Sequence, residues 1–375
     1  MLLFLFRKLC YSLLWLKEGE GSMETKLVKI DPENFREEEL REAAELLRAG
    51  ELVAFPTETV YGLGGNALDP AASAKIYAAK GRPSDNPLIV HICETKALYE
   101  LAENVPESAL KVAETFWPGP LTMILRKSSL VPKETTGGLD TVAIRMPSDP
   151  VAAALIRTSG IYIAAPSANA SGRPSTTRAE HVMEDLAGRI PMILDGGAVK
   201  LGLESTIIDL TGEVPMILRP GYITREMLLT VLPRVEYDPA VLKREKNENI
   251  VAKAPGMKYR HYAPKGSLTI YEGELEQVSG RVAKEAAEAA KAGFVTAVLC
   301  SEETKASYSR GPFYVLSVGT RAEEESIAAN LFDALRECDH LGAERIYGES
   351  FPAEGVGQAI MNRLMKAAGY QIEKV

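Results

Sequence analysis

Apolar residues in this chain come in short blocks whose period changes along its length. From Glu37 to Ala49 they recur at helical spacing and stop at Gly50, which predicts an amphipathic helix with a glycine end. Glu51–Thr57 (ELVAFPT) reads as a buried strand halted by Pro56. A helix is predicted from about Pro70 to Ala79, because proline suits the first helical position behind Asp69 and Gly81 can close the end. Further short apolar runs are LIVHI from Leu88, LTMIL from Leu121, TVAIRM from Thr141, YIAAPS from Tyr162, MILDG from Met192, STIIDL from Ser205 and PMILR from Pro215. Each is bounded by glycine, proline or polar residues, as strands are. Helical stretches near Glu107–Thr115, Pro150–Thr158 and Thr224–Leu232 separate some of them. Strands outnumber helices, and several succeed one another without a crossover helix. The expected fold class is therefore α/β with a twisted, mixed sheet.

Between Pro233 and Pro264 the periodicity fades. Four prolines and the polar run KREKNEN from Lys243 read as a linker. Beyond it strand and helix alternate: a strand near Leu268–Gly273, a helix over Glu274–Ala292, strands over Phe294–Cys300 and Phe313–Gly319, a helix over Glu323–Arg336, a strand over Ala343–Gly348 and a helix over Gly357–Ala368. Ile327, Leu331 and Leu335 form one apolar stripe on the second of these helices. The pattern predicts a small Rossmann-like unit. The expected organisation is an extension over 1–30, a first domain over 31–232, a linker over 233–264 and a second domain over 265–375.

Composition narrows the function classes. A formal net charge of −8 argues against binding nucleic acid over the whole surface, while leaving room for a local basic cleft. The four cysteines (Cys10, Cys93, Cys300, Cys338) are far apart with no CxxC pair, so neither a zinc site nor a disulfide framework is expected, and a reduced, cytoplasmic protein is. The first sixteen residues are apolar but broken by Arg7 and Lys8, too short and too charged for a membrane span. They also fit a signal peptide poorly. METKLVKIDPENF, from Met23, reads as an ordinary start, which makes residues 1–22 an expected dispensable extension.

The candidate chemistry lies mainly in loops. Lys80 and Arg82 flank Gly81 with Ser84 and Asn86 nearby, a set that can face an anionic ligand; the competing reading is a solvated helix end, where cations suit the dipole. Gly62–Ala67 formally matches a dinucleotide fingerprint, but Pro56 and Asp69-Pro70 deny it the strand–turn–helix context. Its glycines are expected to shape a turn presenting Thr57, Thr59 and Tyr61. APSANASGRPS places Ser167, Asn169, Ser171 and Ser175 after a strand, where phosphate or adenine edges can be held; a hydrophilic loop of Asx and Ser turns is the alternative. Thr141, Ala143 and Arg145 share a strand face, with Arg145 either capping a structural carboxylate or binding a ligand carboxylate. APGMKYRHYAP carries Lys258, Tyr259, Arg260, His261 and Tyr262 between the two domains. It reads as a lid, or else as a linker whose aromatics pack on domain surfaces. His91 ends a strand and can point into a cleft, whereas His181 and His340 sit in helical contexts and read as structural or surface groups. No GxSxG elbow, HExxH motif or paired acid/base carboxylates stand out.

FPTETVYGLGG with KGRPSDNP, together with APSANASGRPS and APGMKYRHYAP, resembles the two-domain threonylcarbamoyl-AMP synthases, from about Leu40 onward. The resemblance implies a YrdC-like domain followed by a Rossmann-like one. It implies a nucleotidyltransferase that joins L-threonine, bicarbonate and ATP into threonylcarbamoyl-AMP plus diphosphate for tRNA threonylcarbamoyladenosine formation. The family's K-x-R and S-x-N signatures fall on Lys80–Arg82 and Ser167–Asn169. By the same matching, Lys80 and Arg82 are catalytic, and Thr59, His91, Arg145, Ala165 and Ser205 contact threonine. Arg82, Asn86, Thr141, Ser167, Ser175, Arg219 and His261 contact ATP. Mg²⁺ is expected to ride on the triphosphate, with no residue of the chain as its dedicated ligand. The implied partners are the downstream tRNA threonylcarbamoyl-transferase machinery and, through a basic concave face, RNA; no membrane is implied. Two other classes remain in view. One is an RNA- or tRNA-binding module of the same fold. The other is transfer from carbamoyl phosphate, whose known carriers add zinc-finger and acylphosphatase-like segments that are missing from this sequence.

Overall fold

The computed structural model describes residues 23–242, 254–255 and 261–375. Eleven strands form one sheet: β1 (Lys26–Lys29), β2 (Val53–Phe55), β3 (Gly62–Asn66), β4 (Ile89–His91), β5 (Leu121–Arg126), β6 (Thr141–Arg145), β7 (Ile163–Ala164), β8 (Met192–Asp195), β9 (Thr206–Asp209), β10 (Met216–Arg219) and β11 (Glu236–Tyr237). Their spatial order is β1-β8-β2-β3-β7-β4-β6-β5-β9-β10-β11, with parallel and antiparallel neighbours. The mixed sheet expected from the scarcity of crossover helices is present. Side-chain alternation gives it two cores. Val53 and Phe55 join Leu40, Leu47 and Leu155 on one face, and Ala54 joins Tyr61, Leu63 and Ile76 on the other.

Helices α1 (Arg41–Arg48) and α2 (Pro70–Lys80) match two predicted segments, although a 3-10 turn over Glu37–Leu40 takes the start of the first. Asp69 caps α2 by accepting from the Ala71 N–H, and Gly81 ends it at φ 62. Three further helices follow: α3 (Glu107–Phe116), α4 (Pro150–Ser159) and α5 (Ala179–Leu186).

The glycine run differs from expectation. It is not a turn but strand β3, paired antiparallel with β2. A Cβ on Gly64 would lie 2.8 Å from both Phe55 Cε1 and Ile163 Cγ2, so the glycines let neighbouring side chains close over the strand. The turn that presents Thr59 is Pro56–Tyr61, held by Thr57 Oγ1, which donates to Val60 O at 2.6 Å and accepts from the Thr59 and Val60 amides.

The second sheet is wholly parallel, in the order β14-β13-β15-β12-β16, and is the expected Rossmann-like unit. Its strands are β12 (Ser267–Glu272), β13 (Thr296–Cys300), β14 (Tyr314–Ser317), β15 (Arg345–Glu349) and β16 (Ile372–Lys374). Helices α6 (Leu275–Lys291), α7 (Glu324–His340) and α8 (Gly357–Ala367) cover it. The stripe Ile327, Leu331, Leu335 is buried as predicted. Short edge strands β1, β11 and β16 escaped the sequence reading because two to four residues carry no usable period. No helix among the described residues is long and apolar enough to cross a membrane.

Candidate active site

The loops after β2, α2 and β7 converge with the ends of β4 and β6, and Pro255, His261 and Tyr262, ahead of the second sheet, lie across them. They enclose a cavity whose wall holds Thr59, Lys80, Arg82, His91, Arg145, Ala165, Ser167, Ser175, Ser205, Arg219 and His261. Asn86 and Thr141 are not part of that wall. Asn86 is buried behind Arg82, its carbonyl accepting from Arg82 Nε at 3.3 Å, while its Oδ1 has no hydrogen-bond partner. Thr141 opens β6 opposite Arg126, four residues or roughly 13 Å along the strand from Arg145. Sharing a strand face did not bring the two together.

Lys80 is the last residue of α2 and only 3% exposed, which rules out the solvated helix end. Its Nζ donates to Ser167 O at 2.5 Å and also to Asn169 O. Ser171 N returns a bond to Lys80 O at 2.9 Å, so the K-x-R and S-x-N loops are knitted into one surface. Burial, and then the charge of Arg82, pushes the Lys80 ammonium well below its ordinary pKa. Arg82 is half-buried and donates from Nη2 to Pro87 O at 3.2 Å.

Arg145 ends β6. Its Nη1 donates to Thr59 Oγ1 at 2.9 Å, and its Nη2 lies 2.8 Å from Glu58 Oε1, out of hydrogen-bonding alignment. Nε and Nη2 therefore keep unmet donor capacity in a side chain that is 4% exposed. Burial pushes the Glu58 carboxyl up, but the charge and contact of Arg145 outweigh it and hold the group below its usual range. Of the two readings of Arg145, capping a buried carboxylate is realised, on the cavity wall itself.

His91 sits beside Arg145, edge-on to Phe55, with Nδ1 3.0 Å from Ile89 O. That contact requires an Nδ1–H and leaves Nε2 as an acceptor. Burial, followed by the charge of Arg145, lowers its pKa to about 3, so the imidazole is neutral. Ser205 Oγ pairs with Thr122 Oγ1 at 2.7 Å and accepts from Arg219 Nη2 at 3.2 Å. Ser175 Oγ donates to Glu204 Oε1 at 2.5 Å. Burial drives Glu204 up, but the charges of Arg363 and Arg219 reverse this and bring it to about 2.

The connecting segment divides its labour. Tyr262 is buried and stacks on Phe332 of α7 with centroids 5.1 Å apart, which is the surface packing foreseen as an alternative to a lid. His261 faces the cavity with an unpartnered Nε2, and burial, then the cations Arg82 and Lys366, lowers its pKa to about 3. Lys258, Tyr259 and Arg260 lie outside the described residues, as do residues 1–22 and the KREKNEN run. His181 and His340 are structural, as expected: they join the two units through Asp333 at 3.2 Å and Glu184 at 2.9 Å.

Glu58, Glu204 and Arg363 were not legible as site residues. Nothing in an isolated acid or arginine says which partner it meets across the fold. Among the described residues no group of three or more His, Cys, Asp and Glu is placed to hold a metal ion. Glu58 and Glu204 are in any case committed to arginines.

Residues 45–221 match a family described as "Telomere recombination", and residues 223–369 match one described as "Threonylcarbamoyl-AMP synthase, C-terminal domain". Threonylcarbamoyl-AMP synthase of Bacillus subtilis is 49% identical over 336 residues, 89% of this chain and 94% of that protein. The enzyme of the same name from Pyrococcus abyssi is 48% identical over 343 residues, 92% of this chain and 98% of its own. The crystal structure of P. abyssi Sua5 complexed with L-threonine matches with a TM-score of 0.88 at 47% identity, covering 94% of this chain and 100% of that one.

Proposed function

The chain belongs to the threonylcarbamoyl-AMP synthase family, and on that premise we propose that it joins L-threonine, bicarbonate and ATP into threonylcarbamoyl-AMP, releasing diphosphate. The observation that carries this reading is the meeting of Arg145, Arg82 and Arg219 on one wall with neutral imidazoles and hydroxyls between them. In the reaction a carbamate oxygen of N-carboxythreonine attacks the α-phosphorus, and the bond from that phosphorus to the α,β-bridging oxygen breaks. Two anions must meet, so cationic walls and alignment do more here than a covalent nucleophile would.

Arg145 would take the threonine carboxylate on Nε, which makes no hydrogen bond among the described residues, with Nη2 shared with Glu58. Thr59, Ser205, the Ala165 backbone and neutral His91 would surround the amine and hydroxyl. A site that pairs the hydroxyl rejects analogues lacking it, since its own polar groups would be left unsatisfied. Arg82 and Arg219 would neutralise the triphosphate, with Ser167, Ser175 and His261 as further contacts. Lys80 would serve mainly by holding the S-x-N loop in place, because two of its donors are spent on backbone carbonyls. Asn86 would support Arg82 from behind, and Thr141 would meet only a part of the nucleotide running along β6. Mg²⁺ would enter as part of the MgATP substrate. His261 and Tyr262 would help keep water from labile carbamate and adenylate. The product would pass to the tRNA-modifying transferase of the cytoplasm.

Diphosphate release tests the reading. It should require threonine and bicarbonate together, and equal turnover without threonine would refute it.

A further inference from the structure

Arg363 projects from α8 of the second unit into the first and is fully buried. Its Nε donates to Glu204 Oε2 at 2.9 Å, its Nη1 to Pro220 O at 2.8 Å, and its Nη2 reaches Glu204 O at 3.4 Å. Glu204 and Pro220 each stand one residue from a cavity group, Ser205 and Arg219. The other oxygen of Glu204 accepts from Ser175. One guanidinium thus grips the roots of three wall residues: Ser175 and Arg219, assigned above to the nucleotide, and Ser205, assigned to threonine and bonded to Arg219. The ring of Tyr262, from the connecting segment, packs 5.8 Å from the same guanidinium.

We infer that Arg363 is a positioning residue, through which the second unit sets the geometry of Ser175 and Arg219 for nucleotide binding. An ordinary interface pair would not need such placement. Arg178 and His181 with Asp333 tie the same two units together at a partly exposed rim and touch no wall residue. Arginine suits the task because its planar fork aims five donors in fixed directions, enough for a carboxylate and two carbonyls at once. Among the described residues Glu204 has no second cation in ion-pair contact, so loss of Arg363 leaves a buried carboxylate that must move or take a proton.

The inference rests on the synthase reading, and the test separates the two. Threonine-dependent diphosphate release is measured in the full chain and in Arg363→Met, Arg363→Lys, Glu204→Gln, the Arg363→Met/Glu204→Gln double variant and Asp333→Asn. Arg363→Met should raise KM for ATP at least about tenfold while kcat falls less than about threefold, the signature of lost binding geometry. Arg363→Lys should fall between it and the parent. The double variant should be no worse than Arg363→Met, because the two groups act as one unit. Asp333→Asn should leave both constants unchanged. If KM for ATP stays within about twofold in Arg363→Met and Glu204→Gln, with or without a lower Tm, the positioning role is wrong. If Arg363→Met does not fold, Glu204→Gln decides by the same criterion. A parent chain with no threonine-dependent release refutes the synthase reading and takes this inference with it.

Discussion

The ammonium of Lys80 lies 2.5 Å from the carbonyl oxygen of Ser167, joining the end of α2 to the loop after β7 across 87 positions of sequence. This single tie turns two motifs into one wall. Replacing it removes the donor from one buried and one partly buried carbonyl, each of which then carries a desolvation cost.

Lys80→Met should therefore lower stability by about 2 kcal/mol, read from denaturant unfolding. It should also lower kcat/KM for diphosphate release more than about tenfold, since the S-x-N loop loses its anchor. A variant with parental stability and a lost rate would instead mean that Lys80 acts directly on substrate.

The two cavity histidines should be silent near neutrality. Both have pKa values lowered to about 3 by burial and neighbouring cations. A kcat/KM profile of the free enzyme should show no inflection near 6.5 from His91 or His261. The stability sign follows: the unfolded imidazoles take up protons that the folded ones refuse, so stability falls as pH drops from 6.5 toward about 3. His91→Asn should flatten that fall, which a pH series of thermal unfolding measures.

Glu204 behaves oppositely in origin and lies further into acid. Its folded pKa of about 2 lies below the ordinary 4.5, so its contribution is complete above pH 4.5 and is lost as pH falls toward 2. Glu204→Gln should remove that part of the acid limb while leaving the limb between 4.5 and 6.5 in place.

Gly64 tests the packing role of the glycine run. Gly64→Val must displace Phe55 and Ile163 and should destabilise by about 2 kcal/mol, the usual scale of overpacking. A neutral result in denaturant unfolding would show that β3 has room that the backbone geometry denies.

What could be read from the sequence, and what could not, follows from the range of each signal. Asp69-Pro70 with Gly81 marked α2 because caps are local chemistry, and Ile327, Leu331 and Leu335 marked α7 because burial imposes a period. The Gly62–Gly65 run was misread as a turn: in sequence, glycine for tight packing and glycine for chain reversal look alike. The wall residues from Thr59 to His261 were named by motif, and all but Asn86 and Thr141 converge on the cavity. Asn86 stands four residues past Arg82 and Thr141 shares a strand face with Arg145, and neither relation fixes a distance in space. Glu58, Glu204 and Arg363 were invisible because their roles exist only as pairs formed by folding.

The central claim is that one cavity joins a carboxylated threonine amine to the α-phosphorus of ATP. Mass spectrometry of products formed from ATP, threonine and ¹³C-bicarbonate tests it most directly. A threonylcarbamoyl-adenylate one mass unit heavier than that from unlabelled bicarbonate should form, together with diphosphate. Adenylate or ADP formed with no labelled carbon joined to threonine would contradict it.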